Sequence, residues 1–222
     1  MDWTALWLSL QLGGLTMLVL LPIGVAVGRW LAVTRIGGRS VIEAALALPL
    51  VLPPTVVGFY LLVAFSPGSF FGGAWQRLFG GALLFTFEGL LVASVLVNIP
   101  FAVQPVQRAF EAIGPELREA AASCGISWWR TLWRIELPLA WPGILTGMVL
   151  TFAHTLGEFG VVLLVGGSIP GETRTVAIAI YDRVQAFDET AAARMSAVLL
   201  LISLAAIALS YGLTQRIGRR RG

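Results

Sequence analysis

The residues whose types and spacing point to a specific task lie in one polar segment, residues 114–138. Its first part, Gly114-Pro115-Glu116, favours a helix start, because Pro suits the first helical position and Glu suits the positive end of the helix dipole. Glu119-Ala120-Ala121 continues this helix with small side chains, which another protein surface can approach closely. Gly125 can adopt the positive φ that ends a helix. The pattern predicts a short helix followed by a sharp turn.

A second helix is predicted directly after this turn. Ser127 is placed to cap it. An apolar stripe with two neighbouring arginines follows, made of Trp128, Trp129, Leu132 and Trp133 beside Arg130 and Arg134. We expect both helices to lie on the cytoplasmic face of a membrane, with Pro138 marking the point where the chain enters the next apolar stretch.

Few side chains in the sequence suit covalent or metal chemistry. All 15 basic residues are Arg, so the Lys with which a P-loop reaches the phosphates of ATP is missing. Cys124 is the only cysteine and His154 the only histidine, which excludes an internal disulfide and a His cluster. A membrane-embedded enzyme is therefore disfavoured. We expect this chain to bind no cofactor, and any use of ATP and Mg²⁺ requires a separate ATPase chain.

Composition indicates that the chain lies in a lipid bilayer. Of its 222 residues 57% are hydrophobic and 12% are charged, whereas soluble domains carry about 25% charged residues. Crossing a bilayer takes about 20 apolar residues in a helix. Five stretches predict an all-α polytopic membrane protein: residues 6–27, 42–65, 82–106, 139–165 and 193–213. The pI near 9.7 does not indicate nucleic-acid binding, because the arginines lie between these stretches.

The distribution of arginine predicts the orientation of the spans. Eleven arginines follow the first, third and fifth stretches, and four lie in the other connections. Because basic residues concentrate in cytoplasmic loops, we expect a multi-pass protein of the inner membrane with a periplasmic N-terminus. The short basic tail at residues 215–222 is then cytoplasmic. The first stretch has no basic n-region and is too long for a signal peptide, so we interpret it as a retained span.

Polar residues inside the predicted spans have both structural and functional interpretations. For His154 and Asn98 we favour hydrogen bonds that join helices. Glu158 lies toward the periplasmic side, where a carboxylate would repel an anion, and we favour a structural ion pair or hydrogen-bond role, with Arg174 or Arg183 as candidate partners. The functional alternative is that Glu158 helps hold a gate or contacts a partner protein on that side.

Prolines in the second stretch suggest a bend. Pro49, Pro53 and Pro54 remove backbone donors and should kink this span, either as a moving gate or only to fit the packing. Thr55 and Gly58 would then face a passage. The full set of candidate gate or pore residues is Pro53, Pro54, Thr55, Gly58, Asn98, His154 and Glu158.

The polar segment resembles the EAA loop of ABC importer permeases. That motif reads E-A-A, three residues, G, nine residues, I-x-L-P, and the matching residues are Glu119, Ala120, Ala121, Gly125, Ile135, Leu137 and Pro138. The resemblance implies a type I ABC importer permease fold over residues 6–214. It also implies that residues 108–138 form a cytoplasmic coupling loop that docks on an ABC ATPase subunit, present in two copies. Closure of the ATPases around ATP would then move the spans.

Other segments resemble molybdate and tungstate permeases, namely residues 48–60, 154–160, 169–175 and 177–181. This resemblance implies a homodimer and a periplasmic molybdate-binding protein. Sulfate and thiosulfate permeases share a Leu-Gly-Glu-(Phe/Tyr)-Gly element like that at residues 156–160, so the anion stays open between molybdate, tungstate and sulfate. A secondary transporter is a weaker alternative, because it predicts midplane carboxylates and an inverted repeat, and the sequence has neither.

Overall fold

The computed structural model describes the backbone of residues 1–219 and the side chains through residue 209, and these residues form helices with no β-strand. The helices are α1 (Trp3–Val33), α2 (Arg39–Val51), α3 (Pro54–Phe65), α4 (Phe70–Phe79), α5 (Phe87–Glu111), α6 (Pro115–Ser123), α7 (Trp128–Thr131), α8 (Leu137–Gly157), α9 (Gly160–Gly166), α10 (Val176–Gln185) and α11 (Glu189–Arg219). A π-helical turn, Leu132–Glu136, joins α7 to α8. The predicted all-α class is confirmed. The side chains of the predicted basic tail, residues 215–222, lie outside the described residues.

The number of spans agrees with the sequence. Within the described residues four helical units are long and apolar enough to cross a membrane: Trp3–Val33, Phe87–Glu111, Trp128–Gly157 and Glu189–Leu209. The pair α2 and α3 makes a fifth when it is counted as one broken span. The fold is therefore a polytopic membrane protein of about five spans.

The second span differs from the prediction, because it is broken rather than kinked. Its two halves, α2 and α3, lie at 105° to each other. Between them Leu52 and Pro53 are extended, with ψ of 141° and 136°. A residue that precedes proline avoids helical dihedrals, so the two successive prolines end α2. Pro54 then begins α3, where a missing N–H interrupts no helical hydrogen bond.

The fourth span also differs from the prediction at both ends. Trp128 does not begin a separate surface helix, since the helix that starts there continues to Gly157 as one unit. Pro138 is the second residue of α8 rather than the start of the span, and the π turn precedes it. Because proline has no N–H to donate, the hydrogen-bond ladder is interrupted there, and the wider turn keeps the helix continuous. The predicted stretch 139–165 stops at Gly157, and α9 follows it.

Three helices, α1, α5 and α8, form the central bundle, and small residues let them approach closely. A Cβ on Gly24 of α1 would lie 3.1 Å from the carbonyl oxygen of Ala102, and one on Gly147 of α8 would lie 3.0 Å from the same oxygen. Contacts between small residues of this kind replace the hydrophobic effect as a packing force in lipid. The bundle is the frame on which the two ends of the molecule are built.

The two ends of the bundle carry different elements. One end, here called the α6 end, contains the last turn of α1, the first turn of α2 and the polar segment. The opposite end, here called the α10 end, contains the start of α1 and α10. There Ser9 of α1 accepts a hydrogen bond of 2.8 Å from the N–H of Val176. Met195 of α11 packs at the α10 end against Ala5 and Leu6. The arginines of the two predicted sets separate accordingly. At the α6 end lie Arg29, Arg35, Arg39, Arg108, Arg118, Arg130 and Arg134, and at the α10 end lie Arg77, Arg174, Arg183 and Arg194.

Candidate functional site

The polar segment folds as the sequence predicts up to its turn. Gly114 precedes α6 and Pro115 is its first residue. At its other end Gly125 has a φ of +71°, the left-handed conformation that favours glycine. The N–H of Gly125 donates to the carbonyl of Ala122 at 2.9 Å, and the N–H of Ile126 donates to that of Ala121 at 3.0 Å. This pair of bonds is the Schellman motif, which satisfies carbonyls that a helix end leaves unpaired.

The exposed face of α6 carries the motif residues that suit docking. Glu119 and Ala120 are exposed, whereas Ala121 is buried against the rest of the segment. Ile135, Leu137 and Pro138 are half-buried where the π turn meets α8, and Leu137 packs on the core beside Phe110. The motif therefore divides between an exposed surface on α6 and an anchoring part at the base of α8.

The predicted cap on the second helix is only partly present. Ser127 occupies the N-cap position, but its side chain makes no capping hydrogen bond, and its carbonyl accepts from the hydroxyl of Thr131 at 3.2 Å. The aromatic stripe is exposed at Trp128, Trp129 and Trp133. Tryptophan is enriched at membrane interfaces, and this stripe marks the α6 end as an interfacial region.

A buried carboxylate at the α6 end is a feature that the sequence reasoning missed. Glu136 has no exposed surface, and its two oxygens accept from Arg29 Nε at 2.7 Å and from Arg118 Nε at 2.5 Å. Arg118 also donates to the carbonyl oxygens of Phe110 at 3.0 Å and Ile113 at 3.2 Å. One available signal was that Glu136 fills the variable position of I-x-L-P, an acidic residue between apolar ones. Its three-way ion pair, here called the charged joint (Arg29, Arg118 and Glu136), links α1, α6 and the π turn.

A second polar network at the same end joins α2 to α5. Arg39 donates to Glu111 and, at 2.8 Å, to Glu43. Gln107 also donates to Glu43 at 2.6 Å and to Glu111 at 2.9 Å. Glu43 therefore holds the N-terminal part of the broken span against the central bundle.

A third set of polar side chains crosses the middle of the bundle. Ser94 of α5 accepts from Thr16 of α1 at 2.9 Å and lies 3.3 Å from the hydroxyl of Thr155 of α8. Asn98 donates to the carbonyl of Ser94 at 2.8 Å, and its own amide oxygen lies 3.1 Å from His154 Nδ1. His154 is thus bonded between helices, as its structural interpretation expects. These bonds fix the bundle's register.

Glu158 has different partners from those that the sequence suggested. The expected ion pairs with Arg174 and Arg183 are absent, because these arginines lie near Asp182 and Asp188, each at 3.5 Å. Glu158 instead follows the last residue of α8, and its buried carboxylate accepts from the N–H of Val161, in the first turn of α9, at 3.0 Å. Its other oxygen lies 3.8 Å from His154 Nε2. A carboxylate at a helix N-terminus is stabilised by the helix dipole.

The candidate gate residues do not all meet at one place. Pro54, His154 and Glu158 line one cavity of about 170 Å³ at the break between α2 and α3. Pro53 and Thr55 lie on the exposed surface of that break. Gly58 is buried, and a Cβ there would lie 2.8 Å from the side chain of Leu164 in α9. In this conformation Gly58 is therefore a helix-packing position and does not face a passage.

Comparison with known proteins bears on the fold first. The chain superposes on a bacterial ABC transporter that imports the acidic polysaccharide alginate with a TM-score of 0.78, at 19% identity, covering 96% of this chain and 79% of that one. It also superposes on the MetNI methionine ABC transporter with a TM-score of 0.75, at 16% identity, covering 97% and 95%. The fold is that of type I ABC transporter permeases, as the sequence predicts.

Sequence comparison identifies the family. The chain is 48% identical over 202 residues to the molybdenum transport system permease protein ModB of Azotobacter vinelandii, covering 91% of this chain and 89% of that protein. It is 36% identical over 221 residues to ModB of Escherichia coli, covering 99% and 96%. The sulfate transport system permease protein CysT of Escherichia coli is 36% identical over 186 residues, covering 84% of this chain and 67% of that protein. The family model described as "Binding-protein-dependent transport system inner membrane component" matches residues 20–222. The chain therefore belongs to the inner-membrane permease components of binding-protein-dependent transport systems.

Proposed function

We propose that this chain is the membrane-spanning subunit through which an ABC importer carries molybdate across the inner membrane. It performs no covalent chemistry. ATP and Mg²⁺ act on a separate ATPase subunit, present in two copies, and a periplasmic molybdate-binding protein delivers the anion. The observation that carries this proposal is the exposed face of α6, which presents the residues of the EAA loop on a rigidly capped helix.

The geometry of α6 supports a docking role. Glu119 and Ala120 are exposed beside the tight turn at Gly125, so a partner can contact the helix without steric obstruction. The position of α6 at the arginine-rich end favours a cytoplasmic location, because basic residues concentrate on that side. The N-terminus is then periplasmic, since α1 begins at the opposite end of the bundle.

The exposed break in the second span supports a second copy of this chain as part of the transporter. Pro53 and Thr55, at the break between α2 and α3, lie on the exposed surface. A passage lined by these residues needs an opposing wall, which a symmetric partner supplies. Two copies of α6 would also give the two ATPase subunits one docking helix each.

The choice of molybdate rests on the relatives. The ModB proteins match this chain over 89% and 96% of their own length, whereas CysT is matched over 67% of its length. A sulfate permease is the second candidate function, because CysT of Escherichia coli reaches the same 36% identity as ModB of that organism. Tungstate remains an alternative cargo of the first candidate, since its tetrahedral dianion has the same charge as molybdate.

The test is ATP-driven uptake by the reconstituted complex of permease, ATPase and binding protein. Labelled molybdate is offered with an excess of unlabelled molybdate, tungstate or sulfate. We expect molybdate and tungstate to compete and sulfate not to compete. Competition by sulfate as strong as that by molybdate would contradict the proposed cargo, and uptake without ATP would contradict the ABC mechanism.

A pair of charge reversals tests the docking role of α6 separately. Glu119→Arg places a cation on the exposed face of α6, and Glu172→Arg makes the same change at an exposed site near α10. We expect Glu119→Arg to reduce co-purification of the ATPase while the permease still inserts into the membrane. Glu172→Arg should leave co-purification unchanged. Equal retention of the ATPase by both variants would contradict docking at α6.

A further inference from the structure

We propose that the charged joint makes α6, α1 and the base of α8 move as one body, so that Arg118, Glu136 and Arg29 are positioning residues for the coupling of ATP hydrolysis to transport. This inference rests on the proposed function, and it assigns a transmission role to three residues outside the fixed positions of the EAA motif. Glu136 is the centre of the joint, with one arginine on each carboxylate oxygen.

The burial of Glu136 makes the joint stiff. Its side chain has no exposed surface, while those of Arg29 and Arg118 are 24% and 25% exposed. A buried acceptor that loses its hydrogen-bond donor costs free energy, and the cost is larger when the acceptor is charged. Movement of α6 away from the spans would separate Arg118 from Glu136, so that one buried oxygen loses its donor and Arg29 alone balances the carboxylate. The favoured response is for the spans to follow α6.

Other attachments of α6 are weak, which concentrates the force on Arg118. Among the residues of α6, Ala121 is the one buried side chain, and its methyl group makes little contact area. Arg118 makes three connections, to Glu136, to the carbonyl of Phe110 and to that of Ile113. A displacement applied to the exposed face of α6 therefore reaches the base of α8 through Glu136 and the end of α5 through the carbonyl of Phe110.

Arg29 extends the same connection to α1. Its guanidinium binds Glu136 and also lies 6.0 Å from the ring centroid of Trp128, the first residue of α7. The joint therefore ties the last turns of α1 to the start of the fourth span at two points. Among the described residues, no hydrogen bond or ion pair joins Arg39 or Glu111 to α6, so their network holds α2 against α5 and is not a direct connection from α6.

A distance measurement tests the joint directly. Cys124 is exposed at the end of α6 and is the only cysteine, so it takes one spin label, and Val33→Cys places a second at the end of α1. In the purified permease, with labelled chains diluted in unlabelled ones so that distances within one chain dominate, we expect a narrow distance distribution between the two labels. In the complex with the ATPase, addition of a non-hydrolysable ATP analogue should leave it unchanged. Glu136→Gln should broaden it, because each arginine loses its ionised partner.

Transport supplies the functional readout. Loss of a charge-assisted hydrogen bond shifts the equilibrium between the attached and detached positions of α6 by roughly tenfold or more. ATP hydrolysed while α6 is detached moves no anion. The amount of anion imported per ATP hydrolysed should therefore fall by about tenfold in Glu136→Gln. Binding of the ATPase should persist, because the exposed face of α6 is unaltered. Arg183→Met removes an arginine from an exposed ion pair at the α10 end and serves as the control, with unchanged coupling expected.

A second variant guards against simple misfolding of Glu136→Gln. Replacing all three joint residues by Met leaves no buried charge, and such replacements are often neutral or stabilising. We expect this variant to fold, to broaden the label distance and to lose coupling. A narrow distance distribution and wild-type coupling in the triple variant would refute the proposal that the charged joint makes these helices move together. Failure of the wild-type complex to import an oxyanion would instead refute the proposed function. In that case the label distances in the permease alone would still test whether the charged joint holds α6 to α1.

Discussion

Gly143→Ala tests the close packing of α5 against α8. A Cβ on Gly143 would lie 2.4 Å from the Cβ of Ala109 and 2.7 Å from the carbonyl oxygen of Pro105. Neither atom can turn away, because both are fixed to the backbone of α5. The two helices must therefore separate locally for the added methyl group to fit. Gly14→Ala on α1 is the matched control, since a Cβ there meets no atom within 4 Å.

The expected magnitude is a balance of two opposing effects. Replacing a helical glycine by alanine stabilises by about 0.5–1 kcal/mol, whereas overpacking a fitted site costs about 1–3 kcal/mol. For Gly143→Ala the free energy of unfolding should fall by about 0.5–2 kcal/mol, because the overlap outweighs the gain in helix propensity. For Gly14→Ala no overlap opposes the gain in helix propensity, so the free energy of unfolding should rise by about 0.5–1 kcal/mol.

The assay is reversible unfolding of the purified permease by SDS in mixed micelles, followed by helical circular dichroism and by the fluorescence of its eight tryptophans. Ala109→Gly removes the shorter contact in the Gly143→Ala background, but it also places a glycine inside α5, which costs about 0.5–1 kcal/mol by itself. Ala109→Gly should therefore cost less stability in the Gly143→Ala background than in the wild type. Equal stability of Gly143→Ala and Gly14→Ala, or an equal cost of Ala109→Gly in both backgrounds, would refute the packing argument.

Three further predictions follow from other elements. Gly125→Val forces a β-branched residue into the left-handed region at the end of α6, and ATP-driven uptake should be lost while membrane insertion, measured by fractionation, persists. Glu158→Ala removes the acceptor for the N–H of Val161 and should lower unfolding free energy by about 1 kcal/mol; Glu158→Gln keeps an acceptor, so an equal loss in both variants would contradict a capping role. Ser94→Ala deprives the hydroxyl of Thr16 of its acceptor and should cost about 1–3 kcal/mol in the same SDS titration, whereas an unchanged midpoint would show that this bond adds nothing.

Local chemistry allowed much of the fold to be predicted. The apolar stretches locate the spans because the bilayer requires long apolar helices. The start of α6 at Pro115 and the left-handed turn at Gly125 that follows it reflect proline and glycine, whose backbone preferences are strong at single residues. For the same reason the prolines at 53 and 54 indicated a disturbance in the second span. They could not indicate its 105° angle, which depends on packing against other helices.

Long-range contacts account for what the sequence did not predict. Glu136 and Arg29 are separated by 107 positions, and no local pattern pairs them. Two arginines lie on the same side of the molecule as Glu158, but the backbone N–H groups at the start of α9 are closer to its carboxylate. The side-chain types in the sequence do not indicate such backbone donors. The continuity of Trp128 with α8 was missed because Pro138 resembles a helix start, and a π turn leaves no signature in composition.

If the cargo is a dianion, the arrangement of charges explains why force must reach the spans from the α6 end. In the described part of the bundle, the polar side chains Asn98, His154 and Glu158 already bond to neighbouring protein groups. The described arginines lie toward the ends, so no cation there stabilises an anion midway. On the proposed function, an anion crosses only while helices are displaced and water follows. The 105° break at Pro53 is then the bend whose angle such a displacement would change, and the charged joint is the connection through which a separate ATPase would drive it.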